Sequence, residues 1–447
     1  MDAGPNADDV SESAGRASSL AWFRAAKFGL FVHFGPYAVL GRGEQVMVRD
    51  LMSLAEYEKL AHQFRPASGW ADRLCATAVG AGAKYIVMTT RHHDGYCLFE
   101  TATHYFHAGA TGPGRDLVRE FVEAARRAGL RVGLYYSVQS WRWPGFWDHA
   151  AYPDDLPKMV DEVHAQVEEL MTGYGPIDVL WYDAPQVPGS SVPGDFACEG
   201  DKLDAKPAEF WRSAELNAMV RRHQPGILIN DRSGLPEDFG TPEQVVRPAE
   251  QGRLWETCMT LNPAPGWGFL HGPLVVKSPA EVLWHLLDAV RRGGNFLFNV
   301  GPDATGALAP RDIATLAELG RWLEHHGEAV YDTHPGDIYR TGVPQGTAFH
   351  YGMFTQRGNV AYLTIFYPPP DGTLVLTRLA GGLQSATLLD DGAACEIVPL
   401  DNDRHRISGL PTEPSAMPRV VKLTFDQPPQ LVGTSDASWL LGTHRHG

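Results

Sequence analysis

The chain has 447 residues, a formal charge of −15 and a pI near 5.6. It is too long for one ordinary core, and too acidic to favour a nucleic-acid or anionic-membrane partner. Hydrophobic residues at 44% and charged residues at 20% describe a globular chain rather than a disordered one.

Residues 1–19 are acidic and rich in small side chains, without a basic segment followed by an apolar one. They read as a loose tail with no secretory leader, and no later apolar run is long enough to span a bilayer, so a cytoplasmic location and no membrane partner are expected. From residue 20 short apolar runs alternate with helical ones. Residues 28–33 form a strand pattern ending on His33, and residues 85–90 form a second that leads into Arg91, His92, His93 and Asp94. Leu117, Val118, Phe121, Val122 and Ala125 give helix periodicity over 116–128, with Gly129 placed as a C-cap. A strand follows at 131–137. A helix over 157–171 closes at Gly173, and the run 177–183 ends in Trp181, Tyr182 and Asp183. A helix over 209–222 precedes a strand at 227–232 that ends in Asn230, Asp231 and Arg232. Helices over 281–292 and 311–326 flank a strand at 295–300. Segments 184–206 and 231–278, rich in Gly, Pro and acids, read as long loops that shape a pocket.

This repetition predicts an α/β fold, a (β/α)8 TIM-like barrel over residues 20–335, built at about 250 residues plus insertions. A doubly wound sheet is the competing arrangement, but no Gly-x-Gly-x-x-Gly opens a helix after the first strand, which disfavours a dinucleotide site. Beyond about 335 the texture changes to short strands separated by Pro, Gly and Asp turns, at 359–366, 373–377, 385–389, 395–400 and 420–425. Residues 336–447 are therefore expected to form a small C-terminal antiparallel β-sandwich.

Asp183 is the most telling residue. A buried strand has little reason to stop on a carboxylate unless its tip faces something, and several runs here end in polar groups. That layout is the mark of a site at the carboxyl edge of a parallel sheet. Asp178, where the same run enters the sheet, reads as a fold residue. Adjacent His92 and His93 point opposite ways on an extended chain, which favours hydrogen bonding to a ligand over joint chelation of a metal. Asp183 with Trp181 and Tyr182 suggests a carboxylate beside an aromatic wall. Arg232 offers a guanidinium for a ligand hydroxyl or a carboxylate, and Glu243 and Glu256 are further acid candidates. Cys75, Cys97, Cys198, Cys258 and Cys395 are odd in number and scattered, matching neither a disulfide framework nor a zinc spacing. No cofactor and no metal is expected. With the serine elbow and phosphate loop also absent, a carboxylate pair working on an acetal is the chemistry left.

The blocks at 27–35, 84–96, 133–137, 175–183, 230–232, 238–243, 293–302 and 327–331 together resemble the α-L-fucosidases of glycoside hydrolase family 29. The resemblance implies a catalytic barrel followed by a β-sandwich, and a retaining exo-glycosidase acting on a fucosylated glycoside or oligosaccharide. It implies Asp183 as nucleophile and Glu243 as acid/base, with Glu256 in reserve. It also implies sugar contacts from His33, Glu44, His92, His93, Tyr136 and Arg232. The departures are Gln45 where the family has Trp, Phe34 in place of the Trp of His-Trp-Gly, and Tyr182-Asp183-Ala184 in place of Phe-Asp-Gly. Gln45 keeps a related 6-deoxy or galacto-configured glycoside as an alternative substrate, and a non-catalytic carbohydrate-binding protein is the rival class. Homo-oligomerisation through an edge of the sandwich is left open.

Overall fold

The computed structural model describes residues 7–187, 206–248, 252–262, 266–272, 274–335, 351–400 and 404–431. Eight parallel strands form its first sheet: β1 Phe28–Val32, β2 Tyr85–Arg91, β3 Arg131–Ser137, β4 Val179–Asp183, β5 Leu228–Ile229, β6 Phe239–Gly240, β7 Leu254–Thr260 and β8 Asn295–Val300. Their order is β5-β4-β3-β2-β1-β8-β7-β6, and a parallel bridge between Asn230 and Phe239 joins the two ends. Every residue of β1 and β2 is buried, which is why these strands read as continuous apolar runs rather than alternating ones.

The helices that separate the strands follow the expected pattern. Helix Leu117–Arg127 buries Leu117, Val118, Phe121, Val122, Ala124 and Ala125, and Asp116 caps its start by accepting from the Arg119 amide at 2.8 Å. Helices Asp155–Gly173 and Ser213–His223 fill the next two connections. Asp178 is the fold residue expected of it, accepting from the Val132 amide at 2.8 Å and from Arg131 at 2.9 Å.

Three departures from the sequence reading have physical causes. Residues 231–278 hold two barrel strands as well as loops. β6 is only two residues long, and β7 (Leu-Trp-Glu-Thr-Cys-Met-Thr) buries polar side chains that hide its strand character. Between β5 and β6 the described residues form only the 3-10 turn Asp231–Ser233, so the helical alternation lapses there. Residues 7–19 lie within helix Ala7–Ala26 rather than in a loose tail. Its last turns carry the packing: Phe23 is 1% exposed and sits in the barrel's interior cluster with Tyr85, Trp181 and Phe239. The Arg16 guanidinium also pairs with Asp238 at 2.6 Å.

By internal contacts the chain divides into two units, Met1–Lys277 with Asn295–Ala317, and Ser278–Gly294 with Glu318–Gly447. The second contains helix Pro279–Arg291 and two principal antiparallel sheets. Strands β9 Gly352–Arg357, β10 Val360–Ile365, β13 Leu383–Leu388 and β16 Arg419–Phe425 pair in the order β13-β16-β10-β9. Strands β11 Thr373–Thr377, β14 Glu396–Pro399 and β15 Arg404–Ser408 pair as β11-β15-β14. The short strands β12 Leu379–Ala380 and β17 Gln430–Leu431 pair with each other. Leu363, Leu374, Leu376, Ile407, Val421 and Leu423 share one core between the two principal sheets, as a sandwich requires.

If Phe23 stoppers the barrel interior, its removal opens a cavity there. Phe23→Ala is expected to cost about 3–5 kcal/mol, read in urea unfolding followed by tryptophan fluorescence. A loss below about 1 kcal/mol, the range of a surface site, would mean that the helix merely rests on the barrel.

Candidate active site

The carboxyl ends of the strands surround a cleft of about 960 Å³ of atom-free space, mouth included. Its lining holds His33, Glu44, His92, His93, Trp181, Asp183, Arg232 and Glu243, eight of the nine side chains given a first-choice site role from the sequence, the reserve acid Glu256 aside. Gln45 also lines it, with its side-chain oxygen held by Arg49 at 2.8 Å. Tyr136 is the exception. It is fully buried behind the wall, where its hydroxyl meets Arg91 and Gln166. Its neighbour Tyr135 faces the cleft instead. Adjacent strand residues point to opposite faces, so the Tyr-Tyr pair alone does not tell which one faces in.

Asp183 closes β4, and both its oxygens are occupied. Arg232 donates to Oδ1 at 2.7 Å and the Tyr135 hydroxyl to Oδ2 at 2.6 Å, with His93 Nε2 3.9 Å from Oδ2. Burial alone would raise its pKa, but the Arg232 charge, His93 and the Tyr135 hydrogen bond outweigh it and hold the carboxyl at about 2. It is therefore ionised at any working pH. The residue after it, Ala184, takes the left-handed conformation at φ 54, at a cost on the order of 1 kcal/mol for a side chain with a Cβ. The glycine usual at this position in the resembling family would avoid that cost.

Asn230 explains how Arg232 is delivered. Its side-chain amide accepts from the Tyr182 amide and donates to the Tyr182 carbonyl, both at 2.9 Å. The side chain thus copies a strand's hydrogen-bond pattern and fastens the end of β5 to the tip of β4. Two residues on, the Arg232 guanidinium lies 4.6 Å from the centre of the Trp181 ring. Its Nη1 donates to Asp183, while Nη2 donates to Glu243 Oε2 at 2.7 Å. Thr241 takes its remaining bonds through the hydroxyl at 3.1 Å and the carbonyl at 3.2 Å. One guanidinium thus joins the two carboxylates at the cleft. The side chain of Glu243 is 41% exposed and that of Asp183 17%, so the first opens toward solvent and the second is sheltered.

The histidines are set as acceptors. Asn299 donates its amide to the Trp267 carbonyl at 2.7 Å, so the oxygen of that amide faces His33 Nδ1, also at 2.7 Å. The proton of His33 is therefore on Nδ1 and its Nε2 is bare. His93 follows the same logic. Ser137 gives its hydroxyl proton to the Gln139 carbonyl at 3.2 Å, so His93 Nδ1 donates to Ser137 at 2.6 Å. Burial depresses both rings, His33 to about 3 and His93 to about 4. The chain turns at His92, whose carbonyl accepts from Gly95 at 3.0 Å. Consequently the His92 and His93 rings both reach the cleft, 4.0 Å apart.

Glu44 sits on the loop after β1. Its Oε2 accepts from the Trp267 and Gly268 amides at 3.0 and 2.8 Å, and burial raises its pKa against those bonds. The two loops lie against each other through an antiparallel bridge between Arg42 and Leu270. A Cβ at Gly268 would fall 2.9 Å from the Glu44 nitrogen, so only glycine fits. Glu256 does not reach the cleft. It is buried in the barrel, bonded to Tyr85 and Trp181. Trp267, Tyr135, Gln139, Trp141 and Phe146 also line the cleft and were not singled out from the sequence. Trp141 and Trp267 stand in the aromatic runs Ser-Trp-Arg-Trp and Gly-Trp-Gly, which gave a signal without a direction. Among the described residues no three His, Cys, Asp or Glu side chains group as metal ligands would.

A family model for α-L-fucosidases matches residues 6–328. The chain belongs to the α-L-fucosidase family. It is 28% identical over 403 residues to the tissue α-L-fucosidase of Homo sapiens, covering 80% of this chain and 77% of that one. To the plasma α-L-fucosidase of Rattus norvegicus it is 30% identical over 361 residues, covering 73% of each. Among solved structures, α-L-fucosidase isoenzyme 1 from Paenibacillus thiaminolyticus superposes with a TM-score of 0.79 at 33% identity, over 92% of this chain and 99% of that one. The Thermotoga maritima α-fucosidase in complex with a mechanism based inhibitor superposes with a TM-score of 0.73 at 25% identity, over 94% and 99%. The protein is an enzyme, a glycoside hydrolase of family 29 that acts on fucosylated glycosides, and the non-catalytic reading falls.

The depressed histidines give a direct check. An imidazole with pKa 6.5 in the unfolded chain and about 3 or 4 in the native one is proton-poor when folded, so between those values folding expels a proton and these two rings favour the fold more as pH rises. Ring 15N NMR should therefore show His33 and His93 neutral with the proton on Nδ1 from pH 8 to about pH 5. A ring that titrates near 6.5 would refute the assignment.

Proposed function

We propose that the protein is a retaining, exo-acting α-L-fucosidase in which Asp183 is the nucleophile and Glu243 the acid/base. The observation that carries this reading is the single guanidinium of Arg232 shared by the two carboxylates. In the first step an Asp183 oxygen bonds to C1 of the fucosyl unit as the bond from C1 to the glycosidic oxygen breaks, and Glu243 gives its proton to that oxygen. In the second step water attacks C1, its proton passes to Glu243, and the ester to Asp183 breaks. The sugar leaves with the configuration it had.

The surroundings suit this division of labour. Asp183 is held ionised at about 2, as an attacking carboxylate must be. Once it forms an ester its charge is gone, and Arg232 then answers to Glu243 alone. Bare Nε2 atoms on His33 and His93 accept hydrogen bonds from sugar hydroxyls, as does the carboxylate of Glu44. The indoles of Trp181 and Trp267 stand in the wall of the cleft, where apolar surface suits the C–H edges of the ring. These two indoles supply the aromatic surface that Gln45 lacks, which favours fucose over a galacto-configured or other 6-deoxy sugar.

Asp183→Gly should lower kcat on an aryl α-L-fucoside by roughly 10³-fold or more while the protein stays folded. Turnover near the wild-type rate would overturn the assignment. For Glu243→Ala the loss should be largest on poor leaving groups, with azide restoring activity on activated ones; equal loss on all of them would move the acid role elsewhere.

NMR of the first-formed product should show the α anomer, and a β product would mean inversion. Across a panel of aryl glycosides the α-L-fucoside should have the highest kcat/KM. A faster galacto-configured or other 6-deoxy analogue would shift the substrate assignment and leave the mechanism standing.

A further inference from the structure

Glu256 is the one acid candidate that the cleft leaves unused. It stands in β7 with no exposed surface, among interior residues that include Phe31, Tyr85, Trp181, Cys258 and Leu297. Burial pushes its carboxyl up to about 7, against the hydrogen bonds from Tyr85 and Trp181 that pull it down. A carboxyl placed this way is expensive to keep dry, and among the described residues two groups bond it. The Tyr85 hydroxyl donates to Oε2, and the indole Nε1 of Trp181 donates to Oε1 at 3.1 Å.

The second of these bonds leads to the cleft. Trp181 is itself 1% exposed, yet it lines the site. Tyr135, the donor to Asp183 Oδ2, stacks on Trp181 with centroids 5.7 Å apart and planes at 17°. Arg232 lies over the ring at 4.6 Å. Both donors to Asp183 therefore take their placement from the plane of one indole. Packing confines the indole, and its N–H is the one hydrogen-bond donor by which its plane is fixed. The acceptor is Glu256.

We propose that Glu256 is a positioning residue, whose hold on the Trp181 indole sets the plane from which Tyr135 and Arg232 reach Asp183 and Glu243. It touches neither substrate nor the reacting atoms. The proposal rests on Asp183 and Glu243 carrying the reaction.

Glu256→Gln keeps an acceptor oxygen for the indole, and Glu256→Leu removes it at similar volume. With rates normalised to folded protein by near-ultraviolet circular dichroism, Glu256→Leu should lower kcat by about 10–100-fold, the worth of an unmet buried N–H. KM for the aryl fucoside should stay within about threefold, since the sugar contacts are untouched. Glu256→Gln should recover most of that kcat. In a Trp181→Phe background, Glu256→Leu should cost little more, because the group through which it acts is already gone.

A merely structural carboxylate gives a different pattern. Both variants would then yield less folded protein at an unchanged kcat per folded molecule, or Glu256→Leu would cost as much in the Trp181→Phe background as in the wild type. Either result overturns the proposal. Asp183→Gly, assayed alongside, separates the two readings. If it retains turnover, the carboxylate pair is wrong; if it is inactive while Glu256→Leu has full kcat, only the positioning role fails.

Discussion

The site depends on the two-handed hold of Arg232. A guanidinium offers five N–H groups in a fixed plane, and here they divide among Asp183, Glu243 and Thr241. Like charges repel, and here one positive charge is bonded to both carboxylates. The charge also lowers the penalty for burying Asp183. Yet Arg232 is held more than it holds. Trp181 lies beneath it, Thr241 beside it, and Asn230 fixes the strand end that carries it.

Desolvation does opposite things to the groups around this core, and both serve the same end. It keeps His33 and His93 neutral, which makes them acceptors rather than competing cations. It would protonate Asp183 as well, but there the neighbouring charge wins and the carboxyl stays at about 2. A fucosyl unit thus enters a cleft in which His33, His93 and Asp183 already hold their protonation states. Preorganisation of this kind costs nothing at the moment of reaction.

Much of this was legible in the sequence because a parallel sheet is buried on both faces. Its strands read as apolar runs, and the polar residue that ends each run marks the site edge: His33, Asp183 and Arg232 are all found this way. What failed to show was direction. Tyr135 and Tyr136 are the same residue type one position apart, and only the pleat decides between them. β7 escaped notice because its inward residues include Glu256, and a strand that carries charge into a barrel breaks the apolar pattern used to find it. Helix Ala7–Ala26 escaped because its packing rests on a few residues near its end, chiefly Phe23, behind a run of small and acidic ones. Trp267 and Trp141 come from loops, whose paths depend on close backbone approaches such as that of Gly268 to Glu44.

The joint made by Asn230 has a bearing on how long the enzyme lasts. An amide that both gives and accepts a hydrogen bond against one backbone peptide cannot be replaced by the acid that hydrolysis of that amide leaves behind. After deamidation, a carboxylate oxygen would face the Tyr182 carbonyl at the distance where an N–H now sits, next to Asp183, which is already negative. The fold encloses Asn230 completely, and enclosure slows the reaction with water that would convert it.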